Sequence, residues 1–209
     1  MDAPPIAKSR LCFRGYQDLD SGGALQVFAP TPTTLAMYLL LIIAQTLELE
    51  LAVADCKHAF CQSNELKREA GKLYVTPCEG LNLDKTFLEA IKPVYGLDDA
   101  PMRWHKTFTD YLKSLGFRRT LLEACWYVLY SETGRLQAMV LIEVDDLLVA
   151  ATHGYKKTLR EAMHKRFIFG KWEEPRTSIT FAGRTLDIRN DHIGNHLRST
   201  SRRSSTWHQ

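Results

Sequence analysis

The spacing of apolar positions changes several times along the chain, and each change marks an element. From Leu35 to Ile43 apolar residues cover nearly the whole circumference of a helix, which predicts a helix buried on most sides. Thr31 before Pro32 supplies an N-cap and a first helical residue for it. At Leu47 the period becomes two: Leu47, Leu49, Leu51 and Val53 alternate with Glu48, Glu50, Ala52 and Ala54, the pattern of a half-buried strand that ends at Asp55. Lys72 to Thr76 reads as a short strand stopped by Pro77 and Gly80, and Leu83 to Ile91 as a helical patch. Trp104, Phe108, Tyr111, Leu112 and Leu115 recur at helical spacing between Pro101 and Gly116, with Asp98 or Asp99 as cap, and this aromatic stripe is assigned to the core. Trp126 to Tyr130 predicts a strand, Glu132 to Gly134 a turn, residues 155 to 168 a helix, and Ile179 to Ile188 a last strand. Upstream, Leu11 to Phe13 and Leu25 to Ala29 predict one or two strands with basic edges, broken at Gly22 and Gly23.

The stretch Ala138 to Ala151 has a different character, because two apolar runs flank the adjacent acids Asp145 and Asp146. Val, Ile and Leu on both sides favour extended structure, and a hairpin over Leu136 to Ala151 folded at the acids holds two carboxylates at a tight turn. Two such carboxylates repel unless a cation lies between them. Asp is also a favoured turn residue, so the pair alone equally describes a solvated turn. A strand delivering Asp55 and a hairpin delivering Asp145 and Asp146 are the parts required by a two-metal phosphoryl-transfer site, since carboxylates are the hard oxygen ligands that Mg²⁺ prefers.

Composition narrows the class. The 209 residues are 45% hydrophobic and 24% charged, an ordinary globular balance with length for one good core or two small ones. The net charge of +3 comes from 27 basic and 24 acidic residues, so any nucleic-acid surface must be a local patch. The helix over 155 to 168 carries Lys156, Lys157, Arg160, Lys165 and Arg166; a solvated face is the first reading and a phosphate contact the second. Five cysteines without paired spacing read as reduced thiols, and the polar, Pro-rich start is unlike a secretory leader. The longest apolar run, Leu35 to Ala44, is too short for a bilayer. The expected location is intracellular, cytoplasmic or nuclear, with no membrane partner. Beyond Asn190 apolar residues become rare, and 191–209 is expected to be a polar, disordered tail.

With these elements in order, the chain resembles the reverse transcriptase of Ty1/copia-type LTR retrotransposons, a part of their Pol polyprotein. KSRLCFRGYQD (8–18) resembles that family's KARLVARG motif, and FAPTPTTLAMYLLLIIA (28–44) its FSPV...TIRLLLALAA segment. LAVADCKHAF (51–60) is similar to LDVKTAF, KLYVTPCEG (72–80) to VYMEQPEG, and KPVYGLDDAPMRWHKTF (92–108) to KSLYGLKQAPRQWYKKF. LIEVDDLLVAA (141–151) is similar to LLYVDDMLIAG, and FAGRTLDI (181–188) to FLGIEI. The resemblance implies an α+β polymerase palm with partial fingers, an antiparallel sheet with helices packed on one side: 1–30 partial fingers, 31–190 palm. It implies an RNA-directed DNA polymerase that adds dNTPs to a primer on an RNA or DNA template with two Mg²⁺ ions, or Mn²⁺ in their place. Oligomeric state is left open.

The same resemblance implies roles. Asp55, Asp145 and Asp146 match the catalytic, metal-binding acids. Phe60 matches the aromatic beside the incoming sugar, and is equally readable as a core aromatic. Lys8 and Arg10 match basic positions near the nucleotide phosphates, or a solvated strand edge. Gly96, Ala100 and Pro101 match the loop and helix start against nucleotide and template. The chain also departs from the family. Glu143 replaces the Tyr before Val-Asp-Asp, and residues two apart on a strand share a face, so Glu143 is expected to join Asp145 as a third negative group. Asp98 and Asp99 replace Lys and Gln, which is expected to disfavour phosphate. Strands ahead of the first motif and the thumb and RNase H parts after the last are not matched. These departures keep a second reading open, that of an inactive retroelement remnant retaining the palm and at most weak nucleic-acid binding.

Overall fold

The structure, a computed structural model, describes residues 11–21, 25–77, 87–175, 177–188 and 193–198. In chain order its elements are α1 (Thr34–Thr46), β1 (Glu50–Cys56), β2 (Tyr74–Val75), β3 (Leu88–Glu89), α2 (Ala100–Ser114), β4 (Arg118–Arg119) and β5 (Trp126–Tyr130). There follow β6 (Leu136–Glu143), β7 (Asp146–Ala151), α3 (His153–Arg166), β8 (Phe169–Glu173), β9 (Ser178–Phe181), β10 (Arg184–Ile188) and β11 (Ile193–Arg198). The chain divides into two compact units, one of Met1–Ala29 with His58–Asp110 and the other of Pro30–Lys57 with Tyr111–Gln209.

The second unit is built on a six-stranded sheet in the order β4-β5-β6-β7-β1-β8, antiparallel at every pairing. Directly paired residues of antiparallel strands project from the same face. The pairs Leu51↔Ala150, Val53↔Leu148, Met139↔Ala150 and Leu141↔Leu148 therefore define one face. That face packs with Met37, Leu40, Leu41 and Ala44 of α1. The opposite face carries Ala52, Ala54, Val140, Ile142, Leu147 and Val149, all buried. α3 packs against β6 and β7 through buried Leu159 and Met163, and the end of α2 joins it. There the Tyr111 hydroxyl donates to the Ala162 carbonyl at 2.6 Å and the Tyr111 ring meets Phe167 edge-on at 5.3 Å. Helices thus cover both faces rather than the one side expected. The physical reason is in the strands: β6 and β7 contain the unbroken apolar runs 138–142 and 147–151, which need cover on both sides.

Several boundaries differ from the sequence expectation for local reasons. The cap of α1 is Thr33 and not Thr31, because the Thr33 hydroxyl accepts from the Ala36 N–H at 3.2 Å. The Glu123 carboxylate in turn accepts from the Thr33 N–H and hydroxyl at 3.1 and 3.0 Å. Leu47 and Glu48 form a turn ahead of β1: Glu48 has φ 52°, and the Leu49 N–H reaches the Ala44 carbonyl at 2.8 Å. The expected last strand is a hairpin, β9–β10, turned at Ala182 (φ 56°) and Gly183 (φ 70°). Its β9 places Ile179 and Phe181 in the α1 cluster. β11 pairs with β10, so backbone pairing extends into the stretch expected as tail, while 199–209 lie outside the described residues.

In the first unit, Leu88–Glu89 pairs antiparallel with β2 where a helical patch was expected; 83–86 lie outside the described residues. No strand forms among the described residues of 11–30. Instead Gly15–Gln17 is a 3-10 turn and the Phe13 N–H donates to the Tyr95 carbonyl at 2.7 Å. Trp104 and Phe108 of α2 are fully buried, with ring centroids 5.5 Å apart.

Candidate active site

The three acids singled out by sequence lie in the second unit. Asp55, near the end of β1, pairs directly with Asp146, the first residue of β7, and Asp146 pairs with Glu143 across the hairpin. Asp145 occupies the two-residue turn, and its carbonyl accepts from the Cys56 N–H at 2.8 Å. Val144, the first turn residue, has φ 53°, a region costly for a β-branched side chain and suited to glycine. The register therefore sets Glu143, Asp146 and Asp55 in a row across three strands, on the face that carries Leu141, Leu148 and Val53. All four acids are half-buried.

Electrostatics follow from this row. Burial pushes the Cys56 thiol up, and the charges of Asp55, Asp145 and Asp146 push it further, so all three carboxylates act on one buried point. Burial also raises the Glu143 carboxyl, Arg184 opposes that shift, and Asp145 adds to it. Glu143 is thus a third negative neighbour as expected, although its direct partner by register is Asp146, because Asp145 is in the turn and not on the strand. Like charges placed directly opposite are destabilising. The donor chemistry suits a hard divalent cation, but among the described residues no three His, Cys, Asp or Glu side chains are grouped so as to hold a metal ion. Two residues were not singled out by sequence reasoning. Arg184 opens β10 and is paired with the buried Phe181, and Gly170 of β8 lies against the Asp55 carboxylate. Neither residue type carries a recognisable signal without the strand register.

The other residues singled out lie in the first unit. Phe60, in the 3-10 turn Ala59–Gln62, is half-buried with its ring 4.8 Å from that of Tyr95. Gly96 has φ 94°, and a Cβ there would lie 2.0 Å from the Phe13 carbonyl oxygen, so its lack of a side chain admits the chain's own backbone. Pro101 is in the first turn of α2. Lys8 and Arg10 lie outside the described residues. Asp99, expected to face phosphate, is fully buried and holds Arg68 at 3.1 Å and Arg103 at 2.5 Å. Arg68 also meets Asp18 at 2.5 Å. Burial would lower the Arg68 guanidinium, but the hydrogen bond to Asp18 and the charges of Asp99 and Asp18 outweigh it and hold it above its ordinary value. Asp98 accepts from the Ser21 hydroxyl. Both acids are therefore engaged within the fold. A cleft of about 800 Å³ in this unit is lined by Arg14, Gln17, Asp18, Tyr74 and Thr76 among mostly apolar residues. On α3, Lys156 pairs with Glu50 and Glu174, Lys157 with Glu161, and Arg160 with Glu174. That accounts for much of the helix's positive charge and favours the solvated reading. No helix among the described residues is long and apolar enough to cross a membrane.

Comparisons with known proteins point to the same family. The Pol polyprotein of transposon TNT 1-94 from Nicotiana tabacum is 27% identical over 146 residues, covering 68% of this chain and 10% of that protein. That of transposon RE2 from Arabidopsis thaliana is 26% identical over 173 residues, covering 80% and 11%. The chain thus spans about a tenth of the length of these relatives. Among solved structures, apo telomerase from Candida tropicalis truncated from its C-terminal domain is similar at 12% identity and a TM-score of 0.43, over 78% of this chain and 40% of that one. The family model "Reverse transcriptase (RNA-dependent DNA polymerase)" matches residues 6–175. With that span of the chain matched, and with the Pol polyproteins of transposons TNT 1-94, RE2 and RE1 among its relatives, the chain belongs to the reverse transcriptase family, of the Ty1/copia type.

Proposed function

We propose that this chain is the RNA-directed DNA polymerase domain of a copia-type Pol polyprotein, with 31–190 as palm and 1–30 as partial fingers. The observation that carries the reading is the pairing of Asp55 with Asp146 beside Asp145 in the hairpin turn. Asp55, Asp145 and Asp146 would hold two Mg²⁺ ions, with Mn²⁺ able to replace them; when bound, these ions stabilise the charge that develops on the attacking and leaving oxygens. The primer's 3′-hydroxyl attacks the α-phosphate of a dNTP on an RNA or DNA template, and pyrophosphate leaves. Phe60 would meet the sugar, Gly96 and Pro101 would support the nucleotide and template, and Lys8 and Arg10 would meet the phosphates. The test is Mg²⁺-dependent primer extension on an RNA template. Extension that Asp145→Asn reduces by at least about a hundredfold, within the range of losses for electrostatic catalytic groups, supports the reading. Extension indifferent to that change refutes it.

Glu143 favours a second reading, an inactive remnant that retains the fold. A fourth acid among the half-buried carboxylates raises the cost of holding them together without cations. Cation binding without primer extension is the result that selects it.

A further inference from the structure

The pairing of β1 with β8 shifts register between Asp55 and Cys56: Asp55 faces Lys171 and Cys56 faces Phe169. Gly170 is the residue left over, so β8 bulges where it passes the end of β1. Bulges are common beside active sites, where they re-aim a side chain. Gly170 is outside the left-handed region, so its backbone conformation is open to any residue, and what distinguishes the position is space. A Cβ at 170 would lie 2.9 Å from Oδ2 of Asp55, with the Lys57 Cβ next at 3.8 Å. The 2.9 Å contact is closer than a real Cβ approaches. The room that a side chain would occupy is thus the room in which the Asp55 carboxylate lies. Lys171, directly opposite Asp55, has its amine held by Glu173 at 2.7 Å. The Asp55 carboxylate is therefore bounded on the β8 side chiefly by the bare bulge.

We propose that Gly170 is a positioning residue for Asp55: the side-chain-free bulge sets the place of the Asp55 carboxylate in the acidic row, and any side chain at 170 displaces it. This rests on the reading of Asp55 as a cation-binding acid. It requires no cation to be bound, because the displacement is a property of the chain itself.

The experiment measures Mn²⁺ binding to the full chain by the signal of free Mn²⁺, for the unchanged protein, Gly170→Ala, Asp55→Asn and Gly154→Ala. Gly154, in α3, has nothing within 4 Å of a built Cβ and serves as the control. The expected result is an affinity weakened about tenfold in Gly170→Ala, the lower end of what disturbing a ligand's surroundings costs, with Gly154→Ala unchanged. If Asp55→Asn weakens binding and Gly170→Ala does not, the positioning role is overturned while the cation site stands. If neither changes binding, both are overturned. A folding cycle keeps the test open should Gly170→Ala bind poorly because it is unstable. Gly170→Ala should lower the melting temperature with Asp55 present and leave it unchanged or raised with Asp55→Ala, which has no carboxylate to displace. An equal loss in both backgrounds overturns the proposal.

Discussion

Restoring the family's residue at position 99 should damage the protein, because the acid there holds the first unit together. In Asp99→Gln the fully buried carboxylate that accepts from Arg68 at 3.1 Å and Arg103 at 2.5 Å is replaced by a neutral amide. Arg103 is partly exposed and can turn to solvent, whereas the Arg68 side chain is 2% exposed and keeps, among the described residues, Asp18 at 2.5 Å and Asp20 at 3.5 Å. Removing one partner of a buried ion pair costs about 3–5 kcal/mol; with Arg68 still partnered by Asp18 the lower end applies, about 3 kcal/mol. For a urea slope of about 2 kcal/mol per molar, that is a midpoint shift of roughly 1.5 M. The assay is equilibrium urea unfolding followed by circular dichroism, with Lys106→Gln, whose pair with Asp110 is exposed, as the surface control. A midpoint for Asp99→Gln as close to the unchanged protein as the control's refutes the reasoning. Asp99 would then be a free charge, and the substitution should instead strengthen triphosphate binding.

Two further outcomes follow from charge and burial. Cys12 and Cys61 are exposed, while Cys56 and Cys125 are buried with both thiols pushed up, Cys125 to about 12 by burial first and by Glu123 and Glu143 next. In a Cys78→Ser background a thiol reagent at pH 8 should label two thiols in the native protein and four after unfolding; native labelling of Cys56 refutes this. His164 lies beside Phe169 at 4.9 Å and Trp172 at 5.3 Å, and burial first, then the charge of Arg160, holds its imidazole below the ordinary value. A lowered folded value means the neutral form is favoured, so this contribution to stability is complete above an unfolded value of about 6.5 and is lost as pH falls below it. The imidazole NMR titration should have its midpoint below that value, and a midpoint at or above it refutes the assignment.

The fold was legible where one signal dominated. Continuous apolar runs announced β6 and β7, and the acidic break between them announced the turn, formed by Val144 and Asp145. The same runs, read to the end, also said that both faces are covered; the one-sided arrangement came from the resemblance and not from the strands. Boundaries failed where a distant residue decided them. Thr31 and Thr33 are equivalent caps by local rule, and Thr33 is selected by Glu123, ninety positions away. Leu88 and Glu89 had apolar spacing compatible with a helix turn, yet the backbone of β2 offers them hydrogen bonds, down to the Ala90 N–H on the Leu73 carbonyl at 2.9 Å. Short segments of that kind have too little local preference to resist a partner strand.

The site divides along the same line. Asp55, Asp145 and Asp146 were singled out by the motif order, and the strand register brings them together, although the Asp pair alone equally describes a solvated turn. Asp99 could not be read correctly, since a substitution relative to a motif says that a contact has changed without saying which. In this chain the change is accompanied by Arg68, Arg103 and Asp18, drawn from separate segments, and only their meeting turns an apparent repulsive charge into an internal ion pair. Glu143 is the contrasting case. It too replaces a family residue, but it joins a row of acids on neighbouring strands, with Arg184 acting on it in the opposite sense. A stability argument alone would select against three carboxylates in that row, because directly opposed like charges are unfavourable in a sheet. On the proposed reading Asp55 and Asp146 are offset by cation binding, which would reverse the sign of the interaction. Glu143 is opposed within the fold by Arg184, and on the proposed reading a bound cation would compensate it as well, so primer extension by Glu143→Tyr against the unchanged chain is the comparison that separates a working site from a preserved frame.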